Sequence, residues 1–217
     1  MDIVVFDLDG TLVDTSPDLV AALNVTLEHL GRSTVTSEMV AHLAGEGARA
    51  LLRRGLELTG GVHDDLIENG VPIFLSHYEN HISDLSVVPM GCEDALTELD
   101  GNGVRLGVCT NKPEQLARKL LEELGWIERF ASIVGGDTLA VRKPDPAPLL
   151  RCVAECGDGR AAFVGDSSVD LQTAEAVDLP FWFLSATGAD SPVGVPPERR
   201  ISGFDRLLPA LHIQDFR

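Results

Sequence analysis

The chain has 217 residues, of which 44% are hydrophobic and 24% are charged, and this suits a globular protein with one core and room for a modest inserted domain. Its 34 acidic and 17 basic residues give a formal net charge of −17, which argues against binding to nucleic acid or to an anionic membrane, because both need a positively charged surface. The sequence shows no apolar run long enough to cross a bilayer and no signal peptide, so we expect a cytoplasmic protein.

The first predicted element is a strand over Ile3–Phe6, a short and continuous apolar run that is rich in β-branched residues. It is followed at once by Asp7-Leu8-Asp9-Gly10-Thr11. Two carboxylates so close together at a strand end lose water and repel each other. Such a pair is favourable if a cation lies between the two groups, or if one is a nucleophile and the other a proton carrier. We therefore interpret this turn as functional.

Residues 15–86 break the alternation of strands and helices, since their periodicity predicts helices alone. The predicted helices are Pro17–Leu30 with Ser16 as its N-cap, Glu38–Leu43, Ala48–Leu58 and Leu66–His81. The simplest architecture is an all-helical cap domain formed by residues 15–86, inserted into an α/β core formed by residues 1–14 and 87–217.

The rest of the chain alternates between apolar runs and segments of helical periodicity. Further strands are predicted at Val104–Cys109, Ser132–Val134, Ala161–Val164 and Phe181–Leu184. Helices are predicted at Glu93–Leu99, Glu114–Leu124, Pro148–Cys156 and Ser168–Val177. This alternation predicts the α/β class, with a Rossmann-like parallel sheet core and helices on both of its faces.

A second pair of acidic residues follows the strand predicted at 161–164, within Gly165-Asp166-Ser167-Ser168-Val169-Asp170. Asp166 could simply cap the next helix, and so could either of the two serines after it. The carboxyl ends of parallel strands share one edge of a sheet, however, so these carboxylates can converge with those of Asp7 and Asp9. Three or four carboxylates in one crevice suit a hard divalent cation such as Mg²⁺.

Polar and basic residues follow two other predicted strands. Thr110 and Asn111 come directly after the strand at 104–109, and both can hydrogen-bond a phosphate oxygen. Lys143, in Arg142-Lys143-Pro144, is one of only three lysines in the chain. A solvated loop lysine would explain Lys143 equally well when it is considered alone.

In this order, the four segments resemble the four motifs of the haloacid dehalogenase-like (HAD) superfamily of phosphatases. The matching residues are Asp7-Leu8-Asp9-Gly10-Thr11, Thr110-Asn111, Lys143-Pro144 and Gly165-Asp166-Ser167-Ser168-Val169-Asp170. Other segments resemble the phosphoglycolate phosphatase branch, namely Thr110-Asn111-Lys112-Pro113, Gly135-Gly136-Asp137, Lys143-Pro144-Asp145-Pro146 and Leu207-Leu208-Pro209-Ala210-Leu211. The chain departs from that branch at Ala176-Val177-Asp178, where a glycine is usual at a helix end.

The resemblance implies a magnesium-dependent phosphatase that hydrolyses a small, phosphoglycolate-like phosphate monoester through an aspartyl-phosphate intermediate. It implies that Asp7 attacks phosphorus, and that Asp9 protonates the leaving group and then activates water. It also implies that Mg²⁺ is held by the carboxylate of Asp7, the backbone carbonyl of Asp9 and the side chain of Asp166. Asp170 would either support these ligands without binding the metal or pair with Lys143, and Thr11 would support them as well.

The resemblance implies that Thr110, Asn111 and Lys143 bind the oxygens of the phosphoryl group during its transfer, and that Lys143 is also a catalytic residue. Within the cap domain, Gly45 and Arg49 are predicted substrate-binding residues, with Arg49 gripping a substrate carboxylate bidentately. A glycine turn beside a solvated arginine is an equally consistent interpretation of those two positions.

Two alternatives stay open. A sugar-phosphate mutase of the same superfamily would use the same four motifs. A non-enzymatic phosphorylatable receiver module also combines aspartates, a threonine and a lysine in a parallel sheet, but it has no inserted helical domain and carries its acceptor after a central strand, whereas Asp7 follows the first strand. We expect a small-molecule phosphate ester as the partner, no nucleic acid or membrane partner, and a monomer or homodimer.

Overall fold

The computed structural model describes residues 1–40, 47–185 and 191–211 of the chain. The chain divides into two compact units, which we call the sheet unit (Met1–Asp14 with Val88–Arg217) and the helical unit (Thr15–Val87). Among the described residues, no helix combines the length and the apolar character that a membrane crossing needs.

The sheet unit is built on parallel strands. They are β1 (Ile3–Phe6), β2 (Arg105–Cys109), β3 (Phe130–Val134), β4 (Ala161–Gly165), β5 (Phe181–Leu184) and β6 (Arg200–Ile201). Within the described residues, the sheet has the order β3-β2-β1-β4-β5-β6 and every pairing is parallel. The prediction of a Rossmann-like parallel sheet is confirmed, since this is the strand order of doubly wound folds.

The place of β1 in this order corrects one argument from the sequence. β1 is the first strand of the chain, but β2 and β4 flank it, so Asp7 follows a central strand. The position of Asp7 therefore does not distinguish the protein from a receiver module, and the inserted helical unit remains as the distinguishing feature.

The helical unit contains α1 (Ser16–His29), α2 (Ser37–Val40), α3 (Ala48–Thr59) and α4 (Asp64–Asn80). The four helices predicted here are present, although residues 41–43 of the second lie outside the described residues. The prediction of Ser16 as an N-cap is wrong. The helix already includes Ser16, and Thr15 is the capping residue, without a side-chain capping bond.

Two glycines allow the helices of this unit to pack closely. A Cβ added at Gly55 of α3 would lie 2.9 Å from the side chain of Leu23, and one at Gly70 of α4 would lie 2.6 Å from that of Leu52. Both distances are shorter than a carbon–carbon contact allows, so the larger side chains of the neighbouring helices occupy the space that a Cβ would need.

The helices of the sheet unit are α5 (Cys92–Gly101), α6 (Glu114–Glu123), α7 (Ala147–Cys156), α8 (Ser168–Glu175) and α9 (Leu207–Ala210). One face of the sheet forms a core with α7 and α8, in which Val5, Leu149 and Phe163 are fully buried. Burial of each such side chain contributes about 1.5–3 kcal/mol. The chain leaves β1 toward β2 on one side and returns to β4 on the other, so the strand order reverses at β1, and doubly wound folds bind ligands beyond the carboxyl ends of the strands at such a point.

Candidate active site

Three strands deliver polar residues to the same edge of the sheet. Phe6 at the end of β1 pairs with Val108 of β2 and with Val164 of β4. The ladder continues one residue further, because the backbone N–H of Asp7 donates to the carbonyl of Val164 at 2.9 Å. The residues that follow β1, β2 and β4 therefore emerge side by side at this edge.

An acidic cluster forms at this edge. Carboxylate oxygens of Asp7, Asp166 and Asp170 all lie within 4.8 Å of one another. The Thr11 hydroxyl donates to Asp166 Oδ1 at 2.7 Å and fixes that carboxylate. Gly10 has φ 83°, and a Cβ at this position would collide with the Asp166 carboxylate, so both its conformation and its surroundings require glycine.

The start of α8 shows why Asp166 is free to join the cluster. Ser167 caps the helix, since its hydroxyl oxygen accepts from the backbone N–H of Asp170 at 3.2 Å. In return, Asp170 Oδ2 accepts from the backbone N–H of Ser167 at 3.1 Å, which completes a capping box. The capping bonds belong to Ser167 and Asp170, and the carboxylate of Asp166 lies outside them.

Lys143 joins two of the carboxylates. Its Nζ lies 2.6 Å from Asp170 Oδ1 and 2.9 Å from Asp7 Oδ1, and its side chain is only 2% exposed. Burial alone lowers the pKa of Lys143, but the charges of Asp170 and Asp7 outweigh it and raise the pKa above its usual value. The lysine is therefore a fixed cation.

Two carboxyl groups of the cluster, those of Asp7 and Asp166, resist ionisation. Burial, reinforced by the charges of Asp170 and Asp166, raises the pKa of Asp7 to about 8, although Lys143 opposes the shift. Burial and the charge of Asp170 raise the pKa of Asp166 to about 6. A divalent cation among these oxygens would lower both values, because it favours the charged form of each group.

Asp9 has a separate cationic partner. Its Oδ1 and Oδ2 lie 2.9 Å and 3.3 Å from Lys112 Nζ, and the two side chains are 11% and 3% exposed. Lys112 was not predicted as a site residue. Its place in Thr110-Asn111-Lys112-Pro113, directly after a strand end and in a chain with three lysines, was the available signal.

The loop after β2 is braced from within the site. Thr110 is buried, and its hydroxyl oxygen accepts from the backbone N–H of Lys112 at 3.2 Å. Asn111 Nδ2 donates to the backbone carbonyl of Lys143 at 3.1 Å. The other end of this side chain, Oδ1, is buried and has no hydrogen-bond partner among the described residues. The amide of Asn111 thus joins the second predicted motif to the third.

Of the two residues predicted to bind substrate from the cap domain, the structure describes only Arg49. Arg49, at the second position of α3, makes a bidentate ion pair with Glu68 of α4, with N–O distances of 2.8 Å and 2.9 Å. Both side chains are largely exposed. Gly45 lies outside the described residues.

The donor atoms of the cluster suit a hard cation, since all of them are oxygens and Mg²⁺ and Ca²⁺ prefer carboxylate ligands. The four carboxylates of Asp7, Asp9, Asp166 and Asp170 are accompanied by two ammonium groups, those of Lys112 and Lys143. With all six ionised, this set carries two net negative charges, which one divalent cation neutralises. The acidic cluster therefore has the ligand atoms and the charge of a metal site.

Comparison with known proteins gives consistent matches. Residues 4–183 match the family model described as haloacid dehalogenase-like hydrolase. The chain is 38% identical over 209 residues to a phosphoglycolate phosphatase of Cereibacter sphaeroides, with 96% of each protein covered. It is 42% identical over 198 residues to a phosphoglycolate phosphatase of Rhodospirillum rubrum, covering 88% of this chain and 82% of the relative. A crystal structure described as a predicted phosphoglycolate phosphatase from Haemophilus somnus superposes with a TM-score of 0.86 at 25% identity, covering 97% and 98% of the two chains.

Proposed function

The chain belongs to the haloacid dehalogenase-like hydrolases, and from this membership we propose that it is a phosphoglycolate phosphatase whose nucleophile is Asp7. The observation that carries the proposal is the placement of Asp7 at the end of the central strand. Its Oδ1 accepts from the backbone N–H of Leu8 at 2.7 Å and contacts Lys143, whereas Oδ2 accepts no hydrogen bond from any described residue. One oxygen is thus held in place and the other is available to react.

The proposed reaction has two steps. In the first, Asp7 attacks phosphorus, the bond from phosphorus to the ester oxygen breaks, and Asp9 gives that oxygen a proton. In the second, Asp9 takes a proton from water as the water attacks the aspartyl phosphate. Inorganic phosphate leaves and the carboxylate of Asp7 is restored. Two carboxylates on one strand end thereby divide the work of nucleophile and proton carrier.

The phosphoryl oxygens need positive charge and hydrogen-bond donors throughout both steps. Lys143 supports this role because Asp7 and Asp170 hold its ammonium group and keep it charged. We propose that the hydroxyl of Thr110 and a donor of Asn111 bind the same oxygens. The side-chain nitrogen of Asn111 gives one of its two N–H groups to the Lys143 carbonyl, so its second N–H or the backbone N–H of Asn111 is the donor that we assign.

We propose that Mg²⁺ is held by the carboxylates of Asp7 and Asp166 and by the backbone carbonyl of Asp9. Asp170 contributes by positioning, because its Oδ1 contacts Lys143 and its Oδ2 accepts from Ser167. When bound, Mg²⁺ supplies positive charge that offsets the charge of the phosphoryl group. Thr11 holds Asp166 through its hydroxyl and so keeps that ligand in place.

The name of the relatives supplies the substrate in this proposal, and a glycolate carboxylate needs a cationic partner. Arg49 and Gly45 stay predicted substrate-binding residues. Arg49 is engaged bidentately by Glu68, so a substrate carboxylate would have to replace Glu68 in that pair. The cytoplasmic location and the monomeric or homodimeric state also stay predictions.

The test is a phosphate-release screen with Mg²⁺ over small-acid, sugar and nucleotide phosphates, with wild type beside Arg49→Ala and Glu68→Ala. We expect phosphoglycolate to have the highest kcat/KM and Arg49→Ala to raise KM for it. Glu68→Ala is the matched control, because it removes the same ion pair and keeps the arginine. A preference for a substrate without a carboxylate, or isomerised product from a sugar bisphosphate, would contradict the proposal.

A further inference from the structure

We propose that Lys112 is a positioning residue for the proton carrier Asp9. The inference rests on the proposed function, since it assumes that Asp9 protonates the leaving group and activates water. Lys112 Nζ lies within hydrogen-bond distance of one Asp9 oxygen, at 2.9 Å, and at 3.3 Å from the other. A carboxylate that is gripped at both oxygens cannot rotate freely about its Cβ–Cγ bond.

The lysine itself is held along its length. Its backbone N–H donates to the Thr110 hydroxyl at 3.2 Å, and its carbonyl accepts from the backbone N–H of Gly136 at 2.9 Å. A side chain at Gly136 would collide with the backbone of Asn111, so this close approach of the two loops requires glycine. The ammonium group sits at the end of a side chain that is 3% exposed, and its position is therefore determined by the surrounding structure.

The two lysines of the site divide the carboxylates between them. Lys143 contacts Asp7 and Asp170, whereas Lys112 contacts Asp9. Among the described residues, Asp9 is also outside the three-carboxylate cluster in which a metal could be held. This division keeps the proton-carrying side chain apart from the carboxylates that would hold the cation, and the contacts of Lys112 with both Asp9 oxygens contribute to it.

The inference makes a prediction that depends on the leaving group. An alkyl oxygen such as that of glycolate needs a proton as it leaves, whereas nitrophenolate leaves without one. Loss of Lys112 should therefore spare the attack of Asp7 on p-nitrophenyl phosphate. It should slow both steps that need Asp9, which are the attack on phosphoglycolate and the discharge of the aspartyl phosphate.

The experiment is a pre-steady-state burst comparison of wild type, Lys112→Met, Lys112→Arg and Lys119→Met with p-nitrophenyl phosphate in the presence of Mg²⁺. Nitrophenolate release and phosphate release are followed separately at saturating substrate. Lys119→Met is the matched control, since it makes the same substitution on α6, away from Asp9. General acid–base catalysis contributes about 10²–10⁴-fold, so we expect Lys112→Met to slow phosphate release by at least about tenfold. We expect it to leave the nitrophenolate step within about threefold of wild type, and Lys112→Arg to recover part of the loss.

Two results would overturn the proposal. An equal fall in both steps would make Lys112 a general binding or folding residue. An unchanged urea midpoint with recovery by Lys112→Arg would indicate binding, and a lowered midpoint would indicate folding. A loss confined to kcat/KM for phosphoglycolate, with normal discharge, would assign Lys112 to the substrate carboxylate. Failure of the proposed function is distinguishable, because wild type itself would then release neither nitrophenolate nor phosphate.

Discussion

Lys143 Nζ lies 2.9 Å from Asp7 Oδ1, which joins the end of the central strand to a loop far along the chain. Asp170 completes the contact from the start of α8, at 2.6 Å. Lys143 thus links its own loop to the end of β1 and to the start of α8, and its side chain is almost completely buried. Such an arrangement concentrates charge where a phosphoryl group would arrive, and it makes the stability of the site dependent on its ionisation.

Replacement of Lys143 by methionine should destabilise the protein. Breaking a buried ion pair by removing one partner costs about 3–5 kcal/mol, because the other charge stays buried without compensation. We expect a loss of about 3 kcal/mol in the free energy of unfolding at pH 8 without metal, measured by urea denaturation. The loss should be smaller at pH 5, where protonation neutralises Asp7, whose pKa is raised to about 8. Lys119→Met is the control, and an equal loss in that variant would contradict the account.

Asp7 should lower the stability of the metal-free protein as the pH rises from about 4 to about 8. The pKa of Asp7 is raised from its ordinary value of 3.8 to about 8, so the folded state binds more protons than the unfolded state across that range. Stability contributed by this group is present at low pH and is lost on deprotonation. Asp7→Asn should flatten the slope, as should saturating Mg²⁺, which binds the folded state. An equal pH slope in wild type and in Asp7→Asn would contradict the pKa shift.

Asp178 should be replaceable by glycine with a gain in stability. Among the described residues, Asp178 is the only non-glycine residue with a left-handed backbone conformation, at φ 52°. The backbone N–H groups of Asp178 and Leu179 donate to the carbonyls of Glu175 and Ala174, which is the Schellman pattern at the end of α8. We expect Asp178→Gly to add about 1 kcal/mol and about 2–4 °C to Tm, without change in activity. Asp178→Ala is the control and should be less stable than Asp178→Gly. Equal stability would contradict this interpretation of the turn.

Asp18 should hold together the two ends of the helical unit. It is 2% exposed and accepts from the backbone N–H groups of Leu85 and Ser86, at 2.9 Å and 2.7 Å, and from the Ser86 hydroxyl at 2.6 Å. Asp18→Ala leaves these donors unpaired, and we expect a loss of about 2 kcal/mol. Hydrogen exchange should show faster opening of the Leu85 and Ser86 amides. Asp18→Asn keeps one acceptor oxygen and should lose less; amide protection as high in Asp18→Ala as in wild type would contradict the assignment.

Much of the fold could be predicted because parallel strands buried on both faces are marked by their composition. β1 and β5 begin and end at the predicted residues, and the bounds of the other three predicted strands differ from the observed ones by one or two residues. β6 was missed because it is two residues long and begins with the exposed Arg200, so no apolar run marks it. The helix end at Asp178 was noticed only as a departure from the family, since its left-handed backbone is a property of the folded chain.

The gathering of acidic side chains could be predicted as well, because strand ends in a parallel sheet share one edge. The partners of those side chains could not. The reach of Lys112 to Asp9 depends on a four-carbon stem and on how the loop is braced, neither of which sequence spacing determines. The same holds for Asn111, because sequence spacing does not indicate that its side-chain nitrogen donates to the Lys143 carbonyl.

The central claim is that the phosphoryl group is transferred to Asp7. Asp7→Asn removes the nucleophile and retains the size of the side chain, so this variant should fold and bind metal but lose at least about 10³-fold in kcat. Loss of activity alone does not identify the atom that is phosphorylated, because Asp7 is also a proposed ligand of Mg²⁺.

The most direct measurement is therefore chemical trapping of the intermediate. Wild-type protein turning over phosphoglycolate with Mg²⁺ is quenched in acid and reduced with borohydride, which converts an aspartyl phosphate to homoserine, and the peptides are mapped by mass. We predict that the reduced residue is at position 7 and that it is missing from Asp7→Asn. Reduction at Asp9 or Asp166, or an active enzyme with no reduced residue at any position, would contradict the account.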